Sequence, residues 1–387
     1  MNILIINSTS LIQEDVTEAL SILQHTLYYV DAPPVQASEQ DKYLTTFVNQ
    51  INLCNPKFIF SIGFHPFISF ACELLTIPYI AWFTESYNSA YYSPAIRNKM
   101  TKIMVADSAF LTRLHELGAD NVHFLPLAAG LPRIERTLRE GCNTEKYSCD
   151  LSLWGNIYDR SELTDTPLSP TSEVRDSTRG YLEGCIACQY QGRMFAPMSS
   201  TLPPYVLDDL RAHFPIPDDI GLENDLEYLD HNFFNPLITY SDRELHLARL
   251  ASQKRFETVH LYSHTGGAVD NICHRPQDEY RRKLPHIARN SIINLAITNR
   301  NYQAAIPENA WEIMASKGFL LSNAQADYRL FSDVSPIQFA NDFEMMSKSA
   351  YYYHHEDERL AISDELYQQI YLKHTYVHRM QELLSLV

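Results

Sequence analysis

The chain has 387 residues, which is too long for one ordinary hydrophobic core, so two domains are expected. Apolar residues make up 45% and charged residues 20%, the balance of a globular protein rather than of a disordered one. The chain has 31 Lys and Arg residues and 47 Asp and Glu residues. The resulting net charge of −16 disfavours a nucleic-acid partner.

The N-terminal segment "MNILIINSTS" has neither a basic leader nor a cleavage-type tail, and no apolar run is long enough to span a bilayer. The sequence therefore predicts a cytoplasmic protein without an integral membrane segment. Its seven cysteines are expected to be mostly reduced. Cys185 and Cys188 have a metal-like spacing, but no second such pair follows, so unliganded thiols are the preferred interpretation.

The first 148 residues alternate between strand-like and helix-like segments. The predicted strands are "NILIIN", "KFIFSIGF", "IPYIAWF", "KIMVADS" and "NVHFLPLA", and the predicted helices are Glu14 to His25, "PFISFACELL" and "AFLTRLHELGA". Strands that alternate with helices indicate parallel βαβ units in a doubly wound sheet. Residues 1–148 are therefore expected to form a Rossmann-like domain.

A second series begins at "CDLSLWGN" (149–156) and continues with "TVHLYSHT", "IINLAIT" and "SPIQFA" as strands. The stretch 160–245 is rich in Asp, Glu and Pro, and we interpret it as a helical and loop insertion in the second domain. Two Rossmann-like domains facing each other would place a cleft between the carboxyl ends of both sheets.

The segment "PENAWEIMASKGFLLSN" (307–323) predicts a short helix over Ala310 to Lys317, ended by Gly318 with a positive φ and followed by a strand. Glu312 then lies in the first or second helical turn among apolar residues. A buried carboxylate is costly unless it is paired, whereas one that binds a ligand in a cleft is not.

Six segments resemble, in their order, bacterial glycosyltransferases similar to spore maturation protein CgeB. They begin at "FIFSIGFHPFISFACELL", "ADSAFLTRLHELGADNV", "CDLSLWGNIYDR", "NSIINLAIT", "PENAWEIMASKGFLLSN" and "LKHTYVHRMQELL". The resemblance implies the GT-B architecture, with an acceptor-binding domain over 1–148 and a nucleotide-sugar domain over 149–370. It also implies that residues 371–387 form a helix that returns to the first domain.

By this resemblance, Glu312 holds the two ribose hydroxyls of the donor, for which an ionised carboxylate offers two acceptor oxygens. The alternative is a glutamate that caps its own helix or pairs with a nearby Lys or Arg. The resemblance also places Asn294 near the donor nucleotide sugar. The alternative is a buried strand residue that satisfies backbone groups.

The chain departs from the family pattern at two places. Many retaining relatives carry a glutamate where this chain has "NYQAAIP", and relatives often have an arginine where this chain has Asn309. Phosphate binding is therefore expected to depend on backbone N–H groups at the helix start. Arg300 is a candidate cation for the same phosphates, with a solvated loop residue as the alternative.

Other candidates follow predicted strands, where ligands bind in such folds. Gly155 and Asn156 occupy the turn after the first strand of the second domain, with Arg160 beyond them, and a turn without a ligand is the alternative. Tyr262 and His264 begin the Gly-containing segment "LYSHTGG", which lacks the Lys of a P-loop.

Two residues of the first domain are candidates for the chemistry itself. His65 and Glu85 each follow a predicted strand, so either is a candidate base or anchor for the acceptor hydroxyl. A structural histidine is the equally weighted alternative for His65.

The sequence therefore predicts a glycosyltransferase that moves a sugar from a nucleotide diphosphate donor, expected to be a UDP-sugar, to a hydroxyl of a protein, polysaccharide or small molecule. It has no Asp-x-Asp triplet, so a metal-independent enzyme without a further cofactor is expected. Whether the anomeric centre is retained or inverted stays open. The alternatives are an epimerase-like enzyme and a non-catalytic GT-B binding protein.

Overall fold

The computed structural model describes residues 1–34, 36–157, 167–169, 172–192, 198–214, 216–264, 270–277 and 279–386. Over this part of the chain, two parallel sheets with flanking helices form two α/β domains.

The first domain is built on a parallel sheet in the strand order β2-β1-β3-β4-β5-β6. Its strands are β1 (Asn2–Ile6), β2 (Thr26–Val30), β3 (Phe58–Ile62), β4 (Tyr79–Phe83), β5 (Thr101–Val105) and β6 (Val122–Phe124). Its helices are α1 (Gln13–Ile22), α2 (Ala37–Cys54), α3 (Pro66–Leu75), α4 (Ser108–Glu116), α5 (Leu131–Glu140) and α6 (Thr144–Tyr147). Every residue of β3 and β4 is buried, as expected for central strands covered by helices on both faces.

The second domain is built on a parallel sheet in the order β12-β11-β10-β7-β8-β9. Its strands are β7 (Cys149–Trp154), β8 (Val259–Ser263), β9 (Cys273–Pro276), β10 (Ser291–Ala296), β11 (Leu320–Asn323) and β12 (Ile337–Phe339). The remaining helices are α7 (Asp176–Gly192), α8 (Pro204–His213), α9 (Asp225–Leu229), α10 (Asn235–Ala251), α11 (Tyr280–Asn290), α12 (Glu308–Ala315), α13 (Asp342–His354), α14 (Glu356–Lys373) and α15 (Tyr376–Ser385).

Helices α7, α8 and α9 interrupt the second domain between β7 and the crossover helix α10. They share a small apolar core that includes Leu182, Leu210 and Phe234. The insertion also contacts the first domain, because Glu223 accepts a hydrogen bond from the Tyr87 hydroxyl at 2.8 Å. The insertion therefore contributes to the contact between the domains.

The last helix, α15, leaves the second domain and packs on the first. Arg379 on α15 donates from Nε to the carbonyl oxygen of Pro126 at 2.9 Å, and the Tyr376 ring meets the edge of Trp82. The predicted architecture of two Rossmann-like domains with a returning C-terminal helix is therefore confirmed.

The prediction that Gly318 ends its helix with a positive φ is wrong. Lys317 adopts the left-handed conformation, with φ 61°, and Gly318 does not. Gly318 instead allows a close approach, because an added Cβ would lie 2.7 Å from the carbonyl oxygen of Ala288.

Within the described residues, no helix is both long and apolar enough to cross a membrane. All seven cysteines, Cys185 and Cys188 among them, are free thiols. No group of three or more His, Cys, Asp or Glu side chains in the described ranges is arranged to hold a metal ion.

We expect Arg379→Ala to lower the free energy of unfolding by about 1–3 kcal/mol, because it leaves buried carbonyl groups of the first domain without their donor. The measurement is chemical denaturation of both proteins. Gln381→Ala, which changes an exposed residue of the same helix, is the control and should have almost no effect. Equal stability of Arg379→Ala and the wild type would contradict the role assigned to this contact.

Candidate active site

A cleft of about 1060 Å³ lies between the two domains. Its wall includes Arg133 from the first domain, the turn after β7, and the start of α12. The cleft is at the large end of the usual range for small-molecule sites, roughly 300–1,000 Å³. It therefore has room for a nucleotide sugar.

The turn after β7 brings Gly155 and Asn156 into the cleft wall, and the turn after β8 brings His264. Gly155 has φ +153°, and an added Cβ would lie 3.0 Å from the guanidinium group of Arg243. The Asn156 side chain holds the neighbouring turn after β8, because its Oδ1 accepts from the backbone N–H of His264 at 3.0 Å. A glycine is required here because the arginine packs directly under the turn.

Arg243, on α10, places a half-buried cation in the cleft wall. Its Nε donates to the carbonyl oxygen of Ile297 at 3.0 Å, and its Nη1 donates to that of Asn156 at 3.1 Å. Burial lowers the pKa of Arg243 to about 10, so the group stays protonated at neutral pH. Among the described residues, no carboxylate forms an ion pair with it. The guanidinium group is thus positioned to meet an anion.

The start of α12 contributes Glu308 and Asn309 to the cleft. Asn309 Nδ2 lies 3.5 Å from the carbonyl oxygen of Trp154, next to the glycine turn. The Oε1 atom of Glu308 is buried, and it has no hydrogen-bond partner within the described part of the chain. Burial, together with the negative charge of Glu312, raises the pKa of Glu308 to about 8.

Glu312 lies one turn further along α12 and is 2% exposed. Its Oε1 accepts from Arg133 Nη2, and Arg133 Nε also pairs with Asp15 at 3.0 Å. Arg281 pairs with the same Asp15 at 2.7 Å. Burial raises the pKa of Glu312, and the positive charge of Arg133 opposes that rise. We call these four residues, Asp15, Arg133, Arg281 and Glu312, the interdomain charge cluster.

The ion pair that the sequence left open as the alternative for Glu312 is therefore present. Its ribose-binding role stays a prediction, since Glu312 is not part of the cleft wall, while its Oε2 lacks a hydrogen-bond partner among the described residues.

Three other residues that were predicted to bind the donor nucleotide sugar lie behind the cleft wall rather than in it. Tyr262 is buried and stacks on Trp154 with ring centroids 5.2 Å apart. Asn294 donates to the backbone carbonyl of Ala288 at 2.9 Å inside the sheet. Arg300 pairs with Asp242 at 2.7 Å. Their donor roles stay predictions, and these contacts account for each of the three side chains structurally.

His65 and Glu85, the two candidate catalytic residues of the first domain, do not line the same pocket. Glu85 lines a second, small interdomain pocket with Tyr87, Tyr92 and His231. His65 lines neither this pocket nor the cleft. The His65 Nε2 atom is buried without a partner in the described chain, and burial lowers the pKa of its ring.

The sequence did not single out His231, which comes from the insertion. Its Nδ1 lies 2.7 Å from Glu223 Oε1, and the Tyr87 ring stacks on it at 4.5 Å. Arg243 and Glu308 were also missed. Arg160 and the glycines of "LYSHTGG" lie outside the described residues.

Residues 241–385 match a family model described as glycosyl transferase-like. None of the curated proteins matches the chain in sequence. The matched range contains Arg243, Glu308 and Glu312, so it covers most of the second-domain side of the cleft.

Several solved structures share the fold over the whole chain. A UDP-forming α,α-trehalose-phosphate synthase from Burkholderia vietnamiensis is 10% identical, with a TM-score of 0.52, covering 100% of this chain and 96% of its own. HepE from Anabaena, solved with UDP-glucose, is 9% identical with a TM-score of 0.50, covering 100% of both chains. The N-terminal domain of Candida albicans trehalose-6-phosphate phosphatase is 10% identical with a TM-score of 0.51, covering 100% and 88%.

The solved structures share the two-domain GT-B fold with this chain, and residues 241–385 are similar to a glycosyl transferase-like family. At identities near 10%, these similarities show a shared fold, and the substrates of these proteins are not assigned to this chain.

We expect Arg133→Met to destabilise the protein by about 3–5 kcal/mol, because it leaves the buried Glu312 carboxylate without its cation, while Asp15 keeps only Arg281. The double variant Arg133→Met, Glu312→Met should be less destabilised than the sum of the two single variants. Denaturation of all four proteins measures this coupling. Additive effects would show that the pair does not interact in solution.

Proposed function

We propose that the protein transfers a sugar from a nucleotide diphosphate sugar in the interdomain cleft to a hydroxyl group of an acceptor. The observation that carries the proposal is Arg243, a half-buried cation in the cleft wall without a carboxylate partner among the described residues. The start of α12 lies in the same wall, and backbone N–H groups at a helix start favour anions. The two features together suit a diphosphate.

Arg243 supplies the cation that Asn309 does not. The guanidinium group is held in place by carbonyl oxygens of Ile297 and Asn156, so its orientation is set before a ligand arrives. A preorganised charge stabilises the negative charge that develops on the departing diphosphate. The donor is proposed to lie with its diphosphate between Gly155, Arg243 and the start of α12.

The acceptor side is proposed to include the small pocket that contains Glu85. Glu85 and His231 both line it, and the Glu223 carboxylate fixes the orientation of the His231 ring. A carboxylate or an oriented imidazole is a suitable base for a hydroxyl proton. Glu85 thus remains a candidate base, with His231 added from the structure.

The finer features of the proposal rest on the sequence. They are a UDP-sugar donor, metal-independent hexosyl transfer, the resemblance to CgeB-like enzymes, a cytoplasmic location, a carbohydrate or protein acceptor, and no nucleic-acid partner. HepE in complex with UDP-glucose makes UDP-glucose the first donor to test.

The proposal predicts that one of UDP-, GDP-, ADP- or dTDP-glucose raises the melting temperature, and that Arg243→Gln weakens its binding about 10–100-fold, the equivalent of a lost charge-assisted hydrogen bond. Binding of the free nucleoside should change little, because it has no phosphate. Arg255→Gln, an exposed arginine beyond α10, is the matched control. Equal losses for the nucleoside and the nucleotide sugar would indicate that Arg243 only supports the fold.

The ribose role of Glu312 predicts that Glu312→Gln removes most of the thermal shift given by the nucleotide sugar. Asp15→Asn perturbs the same charge cluster from outside the cleft wall and should keep that shift. Comparing the shifts with and without ligand separates binding from stability. An undiminished shift in Glu312→Gln would rule out the ribose assignment.

A further inference from the structure

Glu308 is the cleft residue whose chemistry the proposed function leaves unexplained. It is the first residue of α12 and lies in the cleft wall with Gly155 and Arg243. A carboxylate at this place would face the diphosphate of the donor. Two negative groups in a partly buried site repel each other strongly unless one of them is neutral.

The surroundings of Glu308 account for a neutral carboxyl group. Its buried Oε1 has no hydrogen-bond partner within the described residues, and the positive charges of Arg281 and Arg133 only partly oppose the rise in its pKa. The charged and titratable groups that face it from the neighbouring elements are Asp15, Arg133, Arg281, Tyr302, Glu312 and Tyr376.

Both arginines of this set already pair with other carboxylates. Arg133 pairs with Asp15 and Glu312, and Arg281 pairs with Asp15 and, at 3.8 Å, with the exposed Glu14. With Glu308 ionised, the carboxylates of Asp15, Glu308 and Glu312 would share the guanidinium groups of Arg133 and Arg281, so these five side chains would carry a net charge of −1. A proton on Glu308 removes that charge. Its pKa of about 8, raised first by burial and then by Glu312, is consistent with this count.

Building on the proposed function, we propose that Glu308 is a donor-binding residue whose neutral carboxyl group donates a hydrogen bond from its O–H to a phosphate oxygen of the nucleotide sugar. The neutral acid adds a donor to the phosphate site without bringing a second negative charge to it. The site then binds its dianionic ligand together with one proton held on the protein.

The proposal predicts that affinity for the nucleotide sugar depends on pH. Glu308 is neutral below its pKa and ionised above it, so binding is strongest at pH 7 and falls as the pH rises through 8. For a single linked proton, the affinity at pH 9 is about tenfold lower than at pH 7. A phosphomonoester group would itself titrate at about pH 6, but the diphosphate of a nucleotide sugar has no such group.

The test is calorimetric titration of the wild type and Glu308→Gln with UDP-, GDP-, ADP- and dTDP-glucose between pH 6 and pH 9. The free nucleoside is titrated in parallel to correct for ionisation of the base. Glu308→Gln is neutral at every pH and keeps an N–H donor, so its affinity at pH 7 should lie within about threefold of the wild type and change less than twofold up to pH 9. Glu365→Gln, on the exposed face of α14, should keep the wild-type pH dependence.

A wild-type affinity that is constant from pH 7 to pH 9 overturns the inference about Glu308 while the proposed function stands. A loss of more than tenfold in Glu308→Gln at pH 7 also overturns it, because the ionised carboxylate would then be the binding form. Failure of all four nucleotide sugars to bind the wild type at every pH overturns the proposed function and this inference together.

A stability measurement without a ligand tests whether Glu308 is protonated. As the pH rises from 6 to 9, the wild type should lose stability relative to Glu308→Gln, because ionised Glu308 is buried without a partner atom. A difference in stability that does not change with pH would show that Glu308 is ionised throughout, and would overturn the proposal.

Discussion

The contact between Arg133 and Glu312 joins the two domains at the edge of the cleft. Arg133 comes from α5 of the first domain and Glu312 from α12 of the second, and both side chains are almost fully buried. A buried ion pair is tolerated only when its geometry is good and its remaining polar atoms are used. Here Asp15 engages the other edge of Arg133, so one guanidinium group fixes α1, α5 and α12 relative to each other.

The cluster has consequences for the site beside it. Arg133 is part of the cleft wall, whereas Glu312 sits behind it, so any ligand group that reaches Glu312 must share it with Arg133 or displace Arg133 from it. The proposed ribose contact of Glu312 would therefore couple donor binding to the interdomain contact. Arg133 donates a hydrogen bond to Glu312, whereas the buried Oε1 of Glu308 has no hydrogen-bond partner among the described residues, so two glutamates one turn apart on α12 have different surroundings.

The central strands were predictable because the apolar runs that indicate them are local in the sequence. Strands β3 and β4 are buried apolar runs that follow from the sequence alone, whereas the edge strand β2 has mostly exposed or half-buried residues and was missed. The surroundings of Glu312 were not predictable, because its partner Arg133 is 179 residues away in sequence. The sequence offered Arg300, in the loop after β10, as a candidate cation for the donor phosphates. In the structure Arg300 pairs with Asp242 outside the cleft wall, and Arg243 lies in the wall instead.

The loop after β10 explains how the two pockets are held at a fixed distance. Residues Asn299 and Tyr302 line the cleft, and Asn301 and Gln303 line the small pocket that contains Glu85. This loop is tied to the first domain, because Asp107 accepts from the backbone N–H of Gln303 at 2.7 Å. Catalysis by transferases depends on holding two reactants in register, since correct positioning contributes a large part of the rate. The loop after β10 contributes residues to both pockets and is hydrogen-bonded to the first domain. If donor and acceptor bind in these pockets as proposed, this loop sets the distance between them, whichever base accepts the proton.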